Sequence, residues 1–332
     1  MSRGVSALSA LYGQAARLRR SWYERHPSLR RRLGRPVISV GNLVVGGSGK
    51  TPVVAALARM LLDLGERPAV LSRGYARRRR ADGVIVVSDG NQVRVPVEES
   101  GDEPQMLART LPRVPVLVSS DRYLAGHLAE HRFGATTMVL DDGFQHLALE
   151  RTIDLLLMAP EDLDEAVLPS GRLREPLSAA RSADAVLVYG GEDDAERISA
   201  AVGVPQAFTV VPTFGAVRPL GQEHALAAGR RVVAVAGIAR PQRFFEALRQ
   251  QGYDVASELV YRDHHWFTPA DVRRVAAVAR EADASLVVTT EKDAARLESM
   301  QGRATFVDWA VLPMQVTIEP APVFTAWLES RL

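Results

Sequence analysis

The residues best suited to chemistry lie in SVGNLVVGGSGKTPVV, positions 39–54. A glycine-rich turn that runs into Lys50 and Thr51 lets backbone N–H groups fold around phosphates. The lysine then neutralises the β- and γ-phosphates, and the hydroxyl meets the accompanying cation. Gly46, Gly47, Ser48, Gly49, Lys50 and Thr51 are therefore candidate nucleotide ligands. The usual spelling of this loop has a glycine where Val44 stands. That glycine serves a backbone turn, so Val44 predicts a different approach to the loop while leaving the site itself possible. Usage of basic residues points the same way: of 41 lysines and arginines only two are lysines, Lys50 and Lys292. A lysine that persists in so arginine-rich a chain suggests a need for a compact ammonium, as between two phosphates.

A nucleotide phosphate brings Mg²⁺, which takes oxygen ligands and keeps several waters. TTMVLDDGFQH places Asp141 and Asp142 at the end of an apolar strand, where such an ion would be held, with Thr51 as the third oxygen. Gln145 and His146 follow closely. Elsewhere the readings stay open. Asp102 and Glu103 precede Pro104 and a helical run, which suits a helix cap. Arg174 and Glu175 in GRLREPL form a solvated loop pair by default. Asp263, His264 and His265 in YRDHHWF fit a surface loop or proton transfer. Arg73, Tyr75 and Arg77 to Arg80 in LSRGYARRRR fit a solvated turn or an anion-binding rim.

These residues need a frame. Short β-branched runs at 37–42, 69–72, 115–119, 136–141, 153–158 and 184–189 alternate with helical patterns, including 52–64 and 121–132. Such alternation predicts an α/β fold of the P-loop NTPase type, a mostly parallel sheet flanked by helices. An Asp-Gly turn between two alternating runs predicts a hairpin over 83–96. The pattern loosens after about 205, and a second α/β segment follows. The expected division is a basic N-terminal segment at 1–35, a P-loop domain at 36–220 and a smaller α/β domain at 221–332.

Composition limits what surrounds this frame. With 332 residues, 47% of them apolar, the chain can bury a substantial core, and it has no cysteine for disulfides or thiolate metal sites. It shows no apolar run near the ~20 residues of a membrane span and no signal peptide. Net charge is +2, yet residues 1–35 hold nine arginines and one acid, Glu24. Leu8, Leu11, Ala15, Leu18 and Trp22 recur there at helical spacing. The segment predicts an amphipathic helix that either lies on an anionic membrane surface or docks on its own domain. Near-neutral overall charge and the lack of a recognition motif argue against nucleic acid as a partner. A GTPase or ATPase switch or metallochaperone is the alternative within P-loop proteins, although in TTEKD the lysine stands one place too late for guanine recognition.

Taken in order, GNLVVGGSGKTP, LSRGY, GDEP, DDGFQH, GRLREP, DHH.F and TTEKDA resemble the tetraacyldisaccharide 4′-kinase family of lipid A biosynthesis. The set spans nearly the whole chain, and the family shares the missing glycine at Val44. The resemblance implies ATP-dependent phosphorylation, with Mg²⁺, of the 4′-hydroxyl of a tetraacylated glucosamine disaccharide 1-phosphate to give lipid IVA, at the cytoplasmic face of the inner membrane. It further implies Asp102 as base, tuned by His264, and Lys50 and Asp142 at the reacting phosphate. Arg73, Tyr75, Gln145, His146, Arg174 and Glu175 would line the substrate cleft.

Overall fold

Fully buried runs of four to six residues build the centre of the molecule. The computed structural model describes residues 3–79, 82–222, 224–297 and 307–332. In chain order the first part comprises α1 (Arg3–Arg25), β1 (Val37–Asn42), α2 (Lys50–Asp63), β2 (Pro68–Ser72), β3 (Ile85–Asp89), α3 (Val97–Ser100), α4 (Asp102–Thr110), β4 (Pro115–Val118), α5 (Arg122–Phe133), β5 (Thr137–Asp141), β6 (Ile153–Met158), β7 (Ala185–Val188), α6 (Glu192–Val202) and β8 (Ala207–Phe214). The second comprises β9 (Arg218–Pro219), β10 (Arg231–Ala236), α7 (Gln242–Gln250), β11 (Asp254–Val260), α8 (Pro269–Glu281), β12 (Leu286–Thr290), α9 (Glu291–Leu297) and β13 (Asp308–Leu312). The chain closes with β14 (Met314–Glu319) and α10 (Ala321–Glu329).

The larger sheet has the order β14-β8-β7-β6-β1-β5-β2-β4-β3. Its inner strands are parallel, and β14 and β3 pair antiparallel at the two edges. Strands covered on both faces read as unbroken apolar runs, which is why the sequence announces them. Val53, Val54, Leu57 and Leu61 put one face of α2 into this core, each fully buried; burying a leucine contributes about 1.5–3 kcal/mol. From β1 the chain crosses past β5 to β2, whereas from β5 it crosses past β1 to β6. The two connections diverge, leaving a crevice beyond the carboxyl ends of β1 and β5, the usual ligand position in an open α/β sheet.

The smaller sheet has the order β11-β10-β12-β13-β9. Its extent differs from a single cut at 220. Strand β9 already belongs to it, while β14 returns to the larger sheet, pairing with β8 from Met314↔Phe214 to Glu319↔Thr209. Helix α10 follows, burying Phe324 and Trp327 against Phe208. Partners about a hundred residues apart leave no local signal. The hairpin expected at 83–96 is partial. Its first arm is β3, which pairs with β4, while its second arm meets the first through a Ser88↔Val93 bridge, the bond from Arg94 N to Val87 O and the Arg94–Asp89 ion pair, and forms no strand of its own.

Helix α1 docks through its polar and small residues. Ser9 bonds to Ser170, and a side chain at Gly13 would meet Pro176 and Val167. Buried Arg20 makes a forked pair with Glu175 at 2.7 and 2.9 Å. Leu8, Leu11, Leu18 and Trp22 are left on the exposed side, each more than half exposed. Among the described residues no helix is long and apolar enough to cross a membrane.

Candidate active site

Strand β1 ends on Asn42, and the backbone bends at Leu43 before a single bridge residue, Val44. Val44 bridges antiparallel to Leu173, flanked by Arg174 N to Leu43 O at 2.6 Å and Val45 N to Arg172 O at 2.8 Å. This strap fixes Val44 where the usual loop has a glycine. It also ties the phosphate loop to the segment carrying Arg174. The loop bends afterwards, at Gly46 (φ +99°) and Gly49 (φ +81°), left-handed positions that favour glycine. At Gly49 a Cβ would also lie 2.6 Å from the hydroxyl of Tyr189, which donates to Gly49 O.

Lys50 opens α2, and its ammonium is held by neighbours. It donates to Asn42 Oδ1 (2.9 Å) and Ser48 Oγ (3.2 Å) and lies 3.4 Å from Asp142 Oδ1. Thr51 is buried beside it. Asp141 and Asp142 close β5 but differ sharply. Asp142, at φ +57°, takes a forked pair from Arg174 at 2.8 and 2.9 Å. Burial pushes its carboxyl up, yet Lys50 and Arg174 outweigh that and hold it well below the carboxylate range. Asp141 makes no side-chain hydrogen bond or ion pair among the described residues; burial first, then Glu103, push its pKa up to about 7.

Asp102 reaches the crevice from the first turn of α4. Gly101, not Asp102, occupies the cap position. This frees most of the carboxylate to meet the second domain, although Oδ1 also accepts from Glu103 N. His264 Nδ1 lies 2.9 Å from Asp102 Oδ2, Arg296 Nη1 lies 3.3 Å away and Lys292 Nζ 3.9 Å away. Burial raises the Asp102 pKa, but the hydrogen bond from His264 and the charges of Lys292 and Arg296 prevail and lower it. His264 sits at φ +59°, a strained position for a residue with a side chain. Arg296 also grips Asp293, which accepts from Gly237 N and Thr290 Oγ1.

The remaining expected residues divide. Gln145 Nε2 donates to Asn42 O, and its Oε1 is buried without a partner. His146 is pushed down to about 4 by burial, with Arg122 and Arg151 adding to the effect. Tyr75 is 65% exposed and meets His264 edge-on at 5.4 Å. Arg78 stacks over Trp266 at 4.4 Å, so the arginine-rich turn touches the second domain. Arg73 is exposed at the start of that turn, and Arg80 lies outside the described residues. Glu175 is not brought to the crevice; it is buried under α1 on Arg20.

Sequence reading missed Asn42, Arg122 and Tyr189. Asn42 is a polar residue closing an apolar strand, a signal that was available. Arg122 is buried behind Asp141 and Asp142, its Nε lacks a hydrogen-bond partner, and burial together with Arg73 pushes it down to about 10. Nothing local marks it. A cavity of about 210 Å³ has Gly46 to Thr51 and Tyr189 on one wall and Ile238, Phe244, Lys292, Leu312 and Met314 on another. Among the described residues no three acidic or histidine side chains form a metal cage. Thr51, Asp141 and Asp142 offer oxygen alone, which suits a Mg²⁺ that completes its shell with phosphate and water.

The family described as tetraacyldisaccharide-1-P 4′-kinase matches residues 1–332. A tetraacyldisaccharide 4′-kinase of Geobacter metallireducens is 42% identical over 97% of this chain and 96% of its own. That of Geobacter sulfurreducens is 40% identical over 96% and 90%. The crystal structure of LpxK from Aquifex aeolicus in complex with ATP superimposes with a TM-score of 0.79 at 31% identity, covering 98% of both chains.

Proposed function

The chain belongs to the tetraacyldisaccharide-1-phosphate 4′-kinase family, and from that premise we propose how its residues carry out the transfer. It is an ATP-dependent phosphotransferase with an alcohol acceptor, acting in lipid A biosynthesis. Phosphoryl transfer asks a protein for positioning and charge neutralisation rather than covalent chemistry. Gly46 to Gly49 cradle the polyphosphate. Lys50 leaves Asn42 and Ser48 for the β- and γ-phosphates, because an ammonium gains more from an anion than from neutral oxygens. Thr51, Asp141 and Asp142 would hold Mg²⁺ through their oxygens. When bound, Mg²⁺ neutralises the charge that develops on the transferring group. Arg174 and Arg122 set the orientation and charge of the two aspartates.

The observation that carries this reading is Asp102 with His264, one residue from each domain, both beside Lys292, which lines the cavity that also holds Lys50. Together they accept the proton of the 4′-hydroxyl. Asp102 is 3% exposed, so the imidazole is the member that meets the cleft. Because the pair exists only where the domains meet, transfer requires closure, which limits ATP hydrolysis by water. Tyr75, Arg73 and Arg77 to Arg79 offer aromatic and cationic contacts to the sugar and its 1-phosphate. The outward apolar stripe of α1, with Arg17, Arg19 and Arg25 beside it, suits an anionic bilayer surface. That would place the enzyme beside its lipid, at the cytoplasmic face of the inner membrane.

The test is transfer of labelled γ-phosphate from ATP to tetraacyldisaccharide 1-phosphate in mixed micelles with Mg²⁺, comparing the wild type with Lys50→Ala. Lipid phosphorylation that depends on Lys50 is expected. Folded wild-type protein that hydrolyses ATP yet leaves the lipid unlabelled, beside an active control enzyme, would overturn the reading.

A further inference from the structure

The only two lysines in the chain line the same cavity from opposite domains, Lys50 on the phosphate loop and Lys292 on α9. The mechanism above employs the first. The second is set among groups from both domains. Its Nζ lies 3.1 Å from Asp263 Oδ1, 3.5 Å from Glu103 Oε1 and 3.9 Å from Asp102 Oδ2. It also lies 3.2 Å from His264 Nε2. Burial would strip its proton, but Glu103, Asp102 and Asp263 outweigh burial and keep it charged.

An ammonium has donors and no acceptor. Its contact with His264 Nε2 is therefore favourable only when that nitrogen presents a lone pair. The imidazole proton then sits on Nδ1, where Asp102 accepts it at 2.9 Å. One contact thus fixes the tautomer, and the same contact covers the lone pair that must take the hydroxyl proton. An arriving phosphate competes with Asp263, Glu103 and His264 Nε2 for the donors of the ammonium, and the neutral ring nitrogen is the weakest of these partners and the first to be released.

We propose that Lys292 is a positioning residue that holds the His264 Nε2 lone pair in reserve and surrenders it when nucleotide phosphate enters the cleft. This rests on the reading of Asp102 and His264 as the proton-accepting pair. In the resting enzyme the base is formed but masked. Nucleotide draws the ammonium toward its phosphate and leaves Nε2 open to the 4′-hydroxyl. No covalent step is added, and the proton still passes from hydroxyl to Nε2.

The tautomer can be read directly by ¹⁵N NMR of histidine-labelled full-length enzyme in detergent micelles, with the His264 signal assigned by its loss in His264→Gln. Without nucleotide, a protonated Nδ1 and a hydrogen-bonded, unprotonated Nε2 are expected. A non-hydrolysable ATP analogue with Mg²⁺ should shift Nε2 toward a free acceptor, and Lys292→Met should abolish that shift. Turnover in Lys292→Met should fall roughly tenfold or more, the scale of one charged hydrogen bond, with partial recovery in Lys292→Arg. A proton on Nε2 in the resting wild type would overturn the proposal even if Lys292→Met fails to fold. So would a nucleotide-induced shift that survives in Lys292→Met. Failure of the base reading has a separate sign: Asp102→Asn would then retain turnover whatever the tautomer.

Discussion

Two carboxylates at one cleft have opposite fates. Asp102 is buried but surrounded by His264, Lys292 and Arg296, all from the second domain, and its pKa is lowered. Asp141 is buried without a side-chain partner among the described residues, and its pKa is raised to about 7. One centre is completed by charges from the other domain; the other has burial and a neighbouring acid, Glu103, as the main influences on it. Burial costs both carboxylates solvation, so the difference lies in which charges stand within reach.

The largest effect should come from removing the cation that both domains' chemistry serves. Lys50→Ala should lower phosphate transfer by about 10³-fold or more, measured by γ-phosphate labelling, while the circular dichroism of the folded chain is unchanged. Next, Asp102→Asn should lower kcat by roughly 10²–10⁴-fold with little change in the ATP KM, because general base catalysis is worth about that much. A similar rise in KM would move Asp102 into nucleotide binding. Arg296→Met removes a buried cation from the completed centre and should destabilise the protein by about 3–5 kcal/mol, since it leaves buried carboxylates underpaired. Denaturant titration would measure this.

A smaller effect concerns pH. The Asp141 carboxyl keeps its proton in the folded chain to about 7 but loses it near its ordinary 3.8 when unfolded. The folded state thus binds more protons between those values, and this group's contribution to stability falls as pH rises from about 4 to about 7. Asp102 runs the other way: its contribution is present above the ordinary 3.8 and is lost only as pH falls below it through the lowered value. In chelator-treated protein Asp141→Asn should therefore flatten part of the decline in melting temperature above pH 4. Smallest of all, Tyr189→Phe loses the bond to Gly49 O and should cost about 0.5–1.5 kcal/mol, seen as a slight loss of stability with transfer largely retained.

Much of the site was legible because its residues are close in sequence. Gly46 to Thr51 must be contiguous to wrap a phosphate, and Asp141 with Asp142 must end a strand to reach it. The reading faltered where position depends on packing. Glu175 adjoins Arg174 in sequence, yet one turns to Asp142 and the other to Arg20, because the chain bends at both residues and packs them against different elements. Val44 looked like a departure from the loop pattern, and the strap to Leu173 that accounts for it lies more than a hundred residues away.

The chain alone determined the apolar strands at 37–42, 69–72, 115–119, 136–141, 153–158 and 184–189, the glycine-rich loop, the acidic pair and an arginine-rich amphipathic first helix, since periodicity, glycine placement and local charge are properties of neighbours. Tertiary structure decided that β14 returns to the first sheet, that Arg122 lies behind the aspartates, and that Asp102 meets His264, Lys292 and Arg296. Those contacts join residues on separate elements, and only the packing of one domain against the other brings their charges within a few ångströms.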